Sequence, residues 1–254
     1  VTDIRLDGRR VIITGGASGM GEGLVRAFPA LGARVVSMDI AAEAGKAIAA
    51  EVGAAFIETD VTQKSSVDDA FRGAVEELGG LDVLIHAAGI APGASGAETE
   101  VDMWDRVMAV NATGTMLTNQ AAFSHLRASG GQIVNFASAA GVQGYPSKPA
   151  YAASKGAVLA WTRSVAVEWA PFGITVNALV PGIWTPMYDK TRASMTAEQL
   201  SAHDAVMAQR IPLGGKLGDV QNDFVPVLAF LASEAPRFMT GQMFAVDGGS
   251  TMVR

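Results

Sequence analysis

The sequence predicts an α/β fold: a Rossmann-like, doubly wound parallel sheet of about seven strands with helices on both faces. Short apolar runs alternate with longer helical patterns from end to end, the signature of β–α–β units with right-handed crossovers. Most of those runs lack strict in–out alternation, as expected when helices cover both faces of the sheet. The first run also opens into a glycine-rich turn that leads directly into a helix.

Taken in order, Val11–Thr14, Arg34–Met38, Ala54–Glu58, Val83–His86, Gln132–Phe136, Thr175–Leu179 and Met243–Val246 read as strands. Helical patterns fall near 19–31, 42–52, 64–78, 100–128, 150–170 and 220–232. No repeat, low-complexity tract or linker divides the chain, so 1–254 is read as a single domain. The least regular stretch, 182–217, carries Pro186, Pro212, Gly214, Gly215 and Gly218. A long connection in a compact domain is usually functional, so this stretch is assigned as a substrate loop or lid.

Composition narrows the function classes. Hydrophobic residues make up 49%, enough for a sizeable core and too many for a disordered chain. The net charge of −6, with no long basic run, argues against a nucleic-acid partner. Cysteine is absent, and His86, His125 and His203 show no ligand spacing, so no metal site is expected. The segment Val1–Gly8 has no apolar core of a signal peptide, and no run of about 18 apolar residues occurs; no membrane role and a cytoplasmic location are the expectation.

After the first strand comes Gly15-Gly-Ala-Ser18-Gly19-Met20-Gly21, then a helix. Glycines there allow a tight turn and close backbone approach, and the helix N-terminus offers N–H groups to a pyrophosphate. The second strand ends at Asp39-Ile40. A carboxylate at that position can accept hydrogen bonds from ribose hydroxyls and would repel a 2′-phosphate, which favours NAD over NADP. A solvated Asp at a strand end would look the same. Asp60-Val61 closes the third strand and could reach the adenine edge.

Tyr151 and Lys155 lie four residues apart, on one face of a helix. A neighbouring ammonium is expected to lower the tyrosine pKa from about 10, making the phenol a proton donor or acceptor at a carbonyl or alcohol. The spacing alone also fits an ordinary exposed helix face.

Together these residues give the chain a resemblance to the short-chain dehydrogenase/reductase family. Its motifs occur in the family's order: Thr14-Gly15-xxx-Gly19-x-Gly21, Asp60-Val61, Ala87-Ala88-Gly89, Asn111, Ser138, Tyr151-xxx-Lys155 and Pro181-Gly182. The resemblance implies a catalytic set of Asn111, Ser138, Tyr151 and Lys155. Tyr151 would exchange the proton, Ser138 would hold the substrate oxygen, Lys155 would tune Tyr151 and hold the nicotinamide ribose, and Asn111 would fix a relay water. It implies that Gly182, Ile183 and Thr185 meet the nicotinamide end of the cofactor with Pro181. It also implies a homotetramer or homodimer, through helices 100–128 and 150–170 bearing Trp104, Met108, Met116, Trp161 and Trp169. One departure is His86, where the family usually has Asn; it reads as a hydrogen-bonded core histidine.

Candidate substrate residues are Val142, Tyr145, Trp184, Met187 and Tyr188, with Ala91, Pro92, Met195 and Met207 nearby in pattern. Their apolar character suggests a hydrophobic secondary alcohol or its ketone. An acyl-carrier-linked ketoreductase is the alternative enzyme. It is weakened by Trp169-Ala-Pro-Phe172, where a basic residue would suit an acidic carrier. A non-catalytic NAD sensor is the alternative of another class, and would need none of the four catalytic residues.

Overall fold

The computed structural model describes residues 4–252. Seven strands form one parallel sheet: β1 (Arg10–Thr14), β2 (Arg34–Asp39), β3 (Ala55–Glu58), β4 (Val83–His86), β5 (Gly131–Phe136), β6 (Ile174–Pro181) and β7 (Met243–Val246), in the spatial order 3-2-1-4-5-6-7. The helices are α1 (Gly19–Ala27), α2 (Ala42–Val52), α3 (Lys64–Leu78), α4 (Val101–Met108), α5 (Gly114–Leu126), α6 (Pro149–Trp169), α7 (Pro186–Ala193), α8 (Ala197–Arg210) and α9 (Val225–Ala232).

The central strands are apolar on both sides because each side has its own core. Val11 and Ile13 of β1 point to the layer built with Leu24 and Val25 of α1, Ile48 of α2 and Leu228 of α9. Ile12, between them, points to the opposite layer with Phe71 of α3, Leu126 of α5 and Val165 of α6. The period of two along the strand assigns alternate side chains to alternate faces. The chain winds outward from β1 to β3 and then returns to β4 on the other side of β1. The strand order therefore reverses between β1 and β4, and a crevice opens beyond their carboxyl ends.

Two expectations are corrected here. The stretch 182–217 is not irregular: it contains α7 and α8, the latter started by a capping box between Thr196 and Gln199. The single helix expected near 100–128 is α4 and α5 joined by a π-helical turn, Ala109–Thr113. Of the residues expected at an assembly surface, Trp104 is exposed, Met108, Met116 and Trp161 are half-buried and Trp169 is buried. Trp169 stacks on Phe123 at 4.7 Å, and Trp161 donates its indole N–H to Asn119 Oδ1 at 3.0 Å.

Candidate active site

A cleft of about 810 Å³ runs across the carboxyl ends of the strands at the point where their order reverses. One end is the glycine loop. Gly15 has φ +70°, and a Cβ there would lie 2.7 Å from Ala88 N, so only glycine lets β1 pass so close to the 87–89 loop. The amides of Gly19, Met20 and Gly21 begin α1 and have no acceptor among the described residues. Ser18, the N-cap, leaves its side chain off them. Those free N–H groups face the cleft with the positive end of the α1 dipole, a donor set matched to a diphosphate.

Asp39 ends β2 on the same cleft. Its Oδ2 accepts from Ala17 N at 3.0 Å and its Oδ1 from Ala41 N at 2.9 Å. Each oxygen keeps a further lone pair for a ribose hydroxyl. The carboxylate thus also ties the glycine loop to the start of α2, a structural role that sequence reading missed. Ile40, Asp60, Val61, Ala87, Ala88, Gly89, Pro181 and Thr185 line the cleft as expected. Asp60 Oδ1 is occupied by Thr62, from both N and Oγ1. Gly182 and Ile183 do not line it. A Cβ on Gly182 would lie 2.8 Å from Asp247 Cα, and Ile183 is buried beside Gly218.

At the other end stand Ser138, Tyr151 and Lys155. Ser138 follows β5 and caps a one-turn helix, its Oγ accepting from Ala140 N at 3.1 Å. That turn rests directly on the backbone of α6. A Cβ at Gly141 would lie 2.6 Å from Lys155 C, so the glycine sets how close Ser138 comes to Tyr151. Lys155 is buried, and its Nζ donates to Phe136 O at 2.6 Å and lies 5.9 Å from the Tyr151 ring centroid.

The electrostatics of the pair differ from the expected tuning. Burial raises the Tyr151 pKa above its ordinary value; a hydrogen bond from Ser138 opposes this and the nearby Tyr145 phenol adds to it. Lys155 is pushed down to about 8 by burial. Desolvation therefore dominates both shifts, raising the phenol and lowering the ammonium, while Lys155 with a pKa of about 8 stays mostly protonated at neutral pH.

Asn111 sits in the π-helical turn, fully buried. Its Oδ1 accepts from Ile90 N at 2.8 Å, and its Nδ2 donates to Ile90 O and Ser154 Oγ, each at 2.9 Å. Its side chain clamps the loop after β4 to α6, using both N–H donors and one of the two lone pairs of Oδ1. π-turns inside helices are frequent at functional sites.

His86 is only half satisfied. Nδ1 meets Thr14 Oγ1 at 2.8 Å and Thr118 Oγ1 at 3.0 Å, while the buried Nε2 has no partner. Burial, with the Lys155 charge, pushes its pKa down to about 3, so the ring is neutral.

Of the candidate substrate residues, Met187 lines the cleft and a second chamber of about 550 Å³ beside it, with Ile90, Ala91, Pro92 and Met103. Val142 and Tyr145 are exposed near the site and line neither chamber. Trp184 and Tyr188 belong instead to a cluster that joins α7 to α8. Their rings meet edge-on at 4.8 Å, Tyr188 Oη lies 2.7 Å from His203 Nε2, and Arg192, paired with Asp204, lies over both rings. Met195 and Met207 line neither chamber. Arg106 and Lys190 do line the cleft. They went unnoticed because a charged residue in a helical pattern looks like a solvated face. Among the described residues, no group of three or more acidic or histidine side chains could hold a metal, and no helix is long and apolar enough to cross a membrane.

Comparison with known proteins adds three findings. A family model described as enoyl-(acyl carrier protein) reductase matches residues 15–251. A protein from Xanthobacter autotrophicus described as an inactive 2-(S)-hydroxypropyl-CoM dehydrogenase is 40% identical over 91% of this chain and 100% of its own, and an L-fucose dehydrogenase from Bos taurus is 34% identical over 98% and 91%. The crystal structure of a short-chain type dehydrogenase/reductase from Mycobacterium marinum superposes with a TM-score of 0.86 at 31% identity, covering 98% of this chain and 97% of that one.

Proposed function

This chain belongs to the short-chain dehydrogenase/reductase family, whose dehydrogenases use nicotinamide cofactors, and on that premise we propose that it is an NAD-dependent oxidoreductase interconverting a hydrophobic secondary alcohol and its ketone. The observation that carries this is a single cleft. It has free helix-terminal amides and Asp39 at one end, and Ser138, Tyr151 and Lys155 at the other.

The residues present fit a dinucleotide. The unbonded amides of Gly19 to Gly21 would take the diphosphate, and Asp39 the adenosine ribose. No Arg or Lys follows Asp39 at 40–42 to accept a 2′-phosphate, which supports NAD over NADP. When bound, the nicotinamide supplies the hydride acceptor or donor. The chain's own groups handle the proton. Tyr151 as phenolate receives it from the alcohol, or as phenol gives it to the ketone oxygen, and the Ser138 hydroxyl orients that oxygen. Lys155 holds position through Phe136 O and stabilises phenolate when the proton leaves Tyr151. Asn111 keeps the loop at Ile90 against the active helix. The apolar second chamber supports a substrate with a hydrophobic body.

The description of the matching family model favours one other reading, a carrier-linked reductase. A kinetic panel of secondary alcohols, ketones and pantetheine thioesters, run with both cofactors, separates the two. Tyr151→Phe should abolish turnover while leaving NAD affinity within about twofold, since the phenol oxygen serves the transition state rather than the ground state. Tight NAD binding with no turnover of any compound would instead mark a non-catalytic NAD-binding protein.

A further inference from the structure

We propose that the substrate alcohol carries an anionic group, such as a carboxylate, sulfonate or phosphate, a few bonds from the reacting carbon, with Lys148, beside Tyr151, as its counter-charge and Arg106 in the adjoining chamber. This rests on the reading of Tyr151 as the proton-transfer group and names the substrate class that group serves.

Lys148 precedes Tyr151 by one helical turn, and its Nζ lies 6.0 Å from the Tyr151 ring centroid. Its stem packs on the backbone at Gly93, where a Cβ would be 3.7 Å from Lys148 Cε. Gly93 follows Ala91 and Pro92, which line the second chamber. The side chain is half-buried, yet no carboxylate lies within ion-pair distance among the described residues. A lysine is rarely withdrawn from water without a partner, because the desolvated charge costs free energy that nothing returns.

The fold gives no structural reason for the residue. Lys148 is the N-cap of α6 but makes no side-chain cap bond, and a cation at a helix N-terminus opposes the dipole. Ser147, immediately before it, is the one non-glycine residue with positive φ among the described residues, at +62°. Strain of that kind is retained where the surroundings enforce it, commonly at ligand sites. Burial also lowers the Lys148 pKa, as befits a charge awaiting its counter-ion.

Lys148 itself lines neither chamber; Arg106, exposed on α4, lines both and has no carboxylate within ion-pair distance among the described residues. Lys190 lines the cleft on α7. The one carboxylate lining the second chamber is Asp102, one turn from Arg106 and not paired with it. Among the residues lining the two chambers, Arg106, Lys155 and Lys190 are matched by Asp39, Asp60 and Asp102, so the cleft lacks the acidic excess that gives the chain its net charge of −6. The apolar lining between them suits a short hydrocarbon body with one charged end.

The test compares 3-hydroxybutanoate, 4-hydroxypentanoate and 5-hydroxyhexanoate with their methyl esters as substrates of the NAD-loaded protein. One acid should exceed its ester in kcat/KM by about tenfold or more, a difference of ~1.4 kcal/mol. Lys148→Met should cut that acid-to-ester ratio by a similar factor and Lys148→Arg should restore it, a pattern that a general loss of fold would not give. Esters oxidised as well as acids, or a ratio unmoved by Lys148→Met, would overturn the proposal. So would a preference for the pantetheine thioester of 3-hydroxybutanoate that ignores Lys148. If nothing is turned over, the reading of Tyr151 fails separately. The anion site is then decided by calorimetric titration of the matching keto acids and keto esters into the NADH-loaded protein, where equal binding of acid and ester refutes it.

Discussion

Lys155 places a cation where the fold least favours one, and the cost should be measurable. Its side chain is 5% exposed, and burial lowers its pKa from 10.5 to about 8. The unfolded chain therefore holds a proton that the native protein releases across the interval from pH 8 to 10.5. Because the unfolded state binds more protons there, stability rises with pH through that window and falls as pH drops back through the native value. At about 1.4 kcal/mol per unit, the full interval is worth roughly 3 kcal/mol, and below pH 8 that penalty is constant. Lys155→Met removes the ionisation but keeps most of the packed stem. Urea unfolding of both proteins without cofactor, from pH 7 to pH 10, should show the wild type gaining on the variant by roughly 2 to 3 kcal/mol as pH rises. Tyr151 titrates in both proteins, so its contribution largely cancels in the difference. A stability difference that stays flat over this range would mean Lys155 ionises as it does in water, and the argument from burial would be wrong.

Asp39→Ala should lower the NAD-to-NADP ratio of kcat/KM by about tenfold or more, and should also loosen the glycine loop by about 1 kcal/mol, because Ala17 N and Ala41 N lose their acceptor. Cofactor titrations with both nucleotides and a denaturation curve check the two effects, and a wild type that already prefers NADP refutes the assignment. His86→Asn should protect against acid. The native ring stays neutral down to about 3 while the unfolded one protonates below 6.5, so wild-type stability declines as pH falls through that window. By pH 4 the variant should have gained up to about 3 kcal/mol relative to its position at pH 7, and an unchanged difference between the two pH values would contradict it.

What the sequence revealed depended on how local the cause was. The strands were legible within a residue or two because burial on both faces leaves continuous apolar runs such as Val11–Thr14 and Val83–His86. The glycine loop was legible because positive φ and close approach demand glycine at Gly15. The π-turn around Asn111 was not, since it arises from how the α4–α5 segment meets α6 and the Ile90 loop rather than from any local preference. The two helices within 182–217 were missed for another reason. Pro186 and the glycines read as breakers, although Pro186 occupies the first turn of α7 and Thr196 with Gln199 spells a capping box. Trp161 and Trp169 were assigned outward because an apolar residue on a second helix face resembles an interface, whereas here that face packs on Phe123 and Asn119. Arg106 and Lys148 carried no sequence cue. Only the absence of a carboxylate beside them distinguishes them from solvated cations.

The correction to Tyr151 changes what the active site is prepared to do. A phenol already lowered by its neighbour would be a ready base, suited to taking the proton of an alcohol. Burial holds it instead as an acid, with Ser138 partly offsetting the shift, and lowers the Lys155 pKa to about 8. In that resting state the site is poised to donate to a ketone oxygen. To accept from an alcohol it needs Lys155 to be protonated, because the ammonium 5.9 Å from the ring is the group that can stabilise phenolate. The hydrogen bond from Lys155 to Phe136 O favours that protonated form against the desolvation that opposes it. The destabilisation expected at Lys155 and the oxidising competence of Tyr151 therefore have one origin: a buried cation that is unfavourable for folding and required for the base. A substrate anion held at Lys148 would add negative potential beside the same phenol and raise its pKa further, favouring the acid role. Direction of catalysis is thus set less by Asn111, Ser138, Tyr151 and Lys155 themselves than by the balance of charge around them.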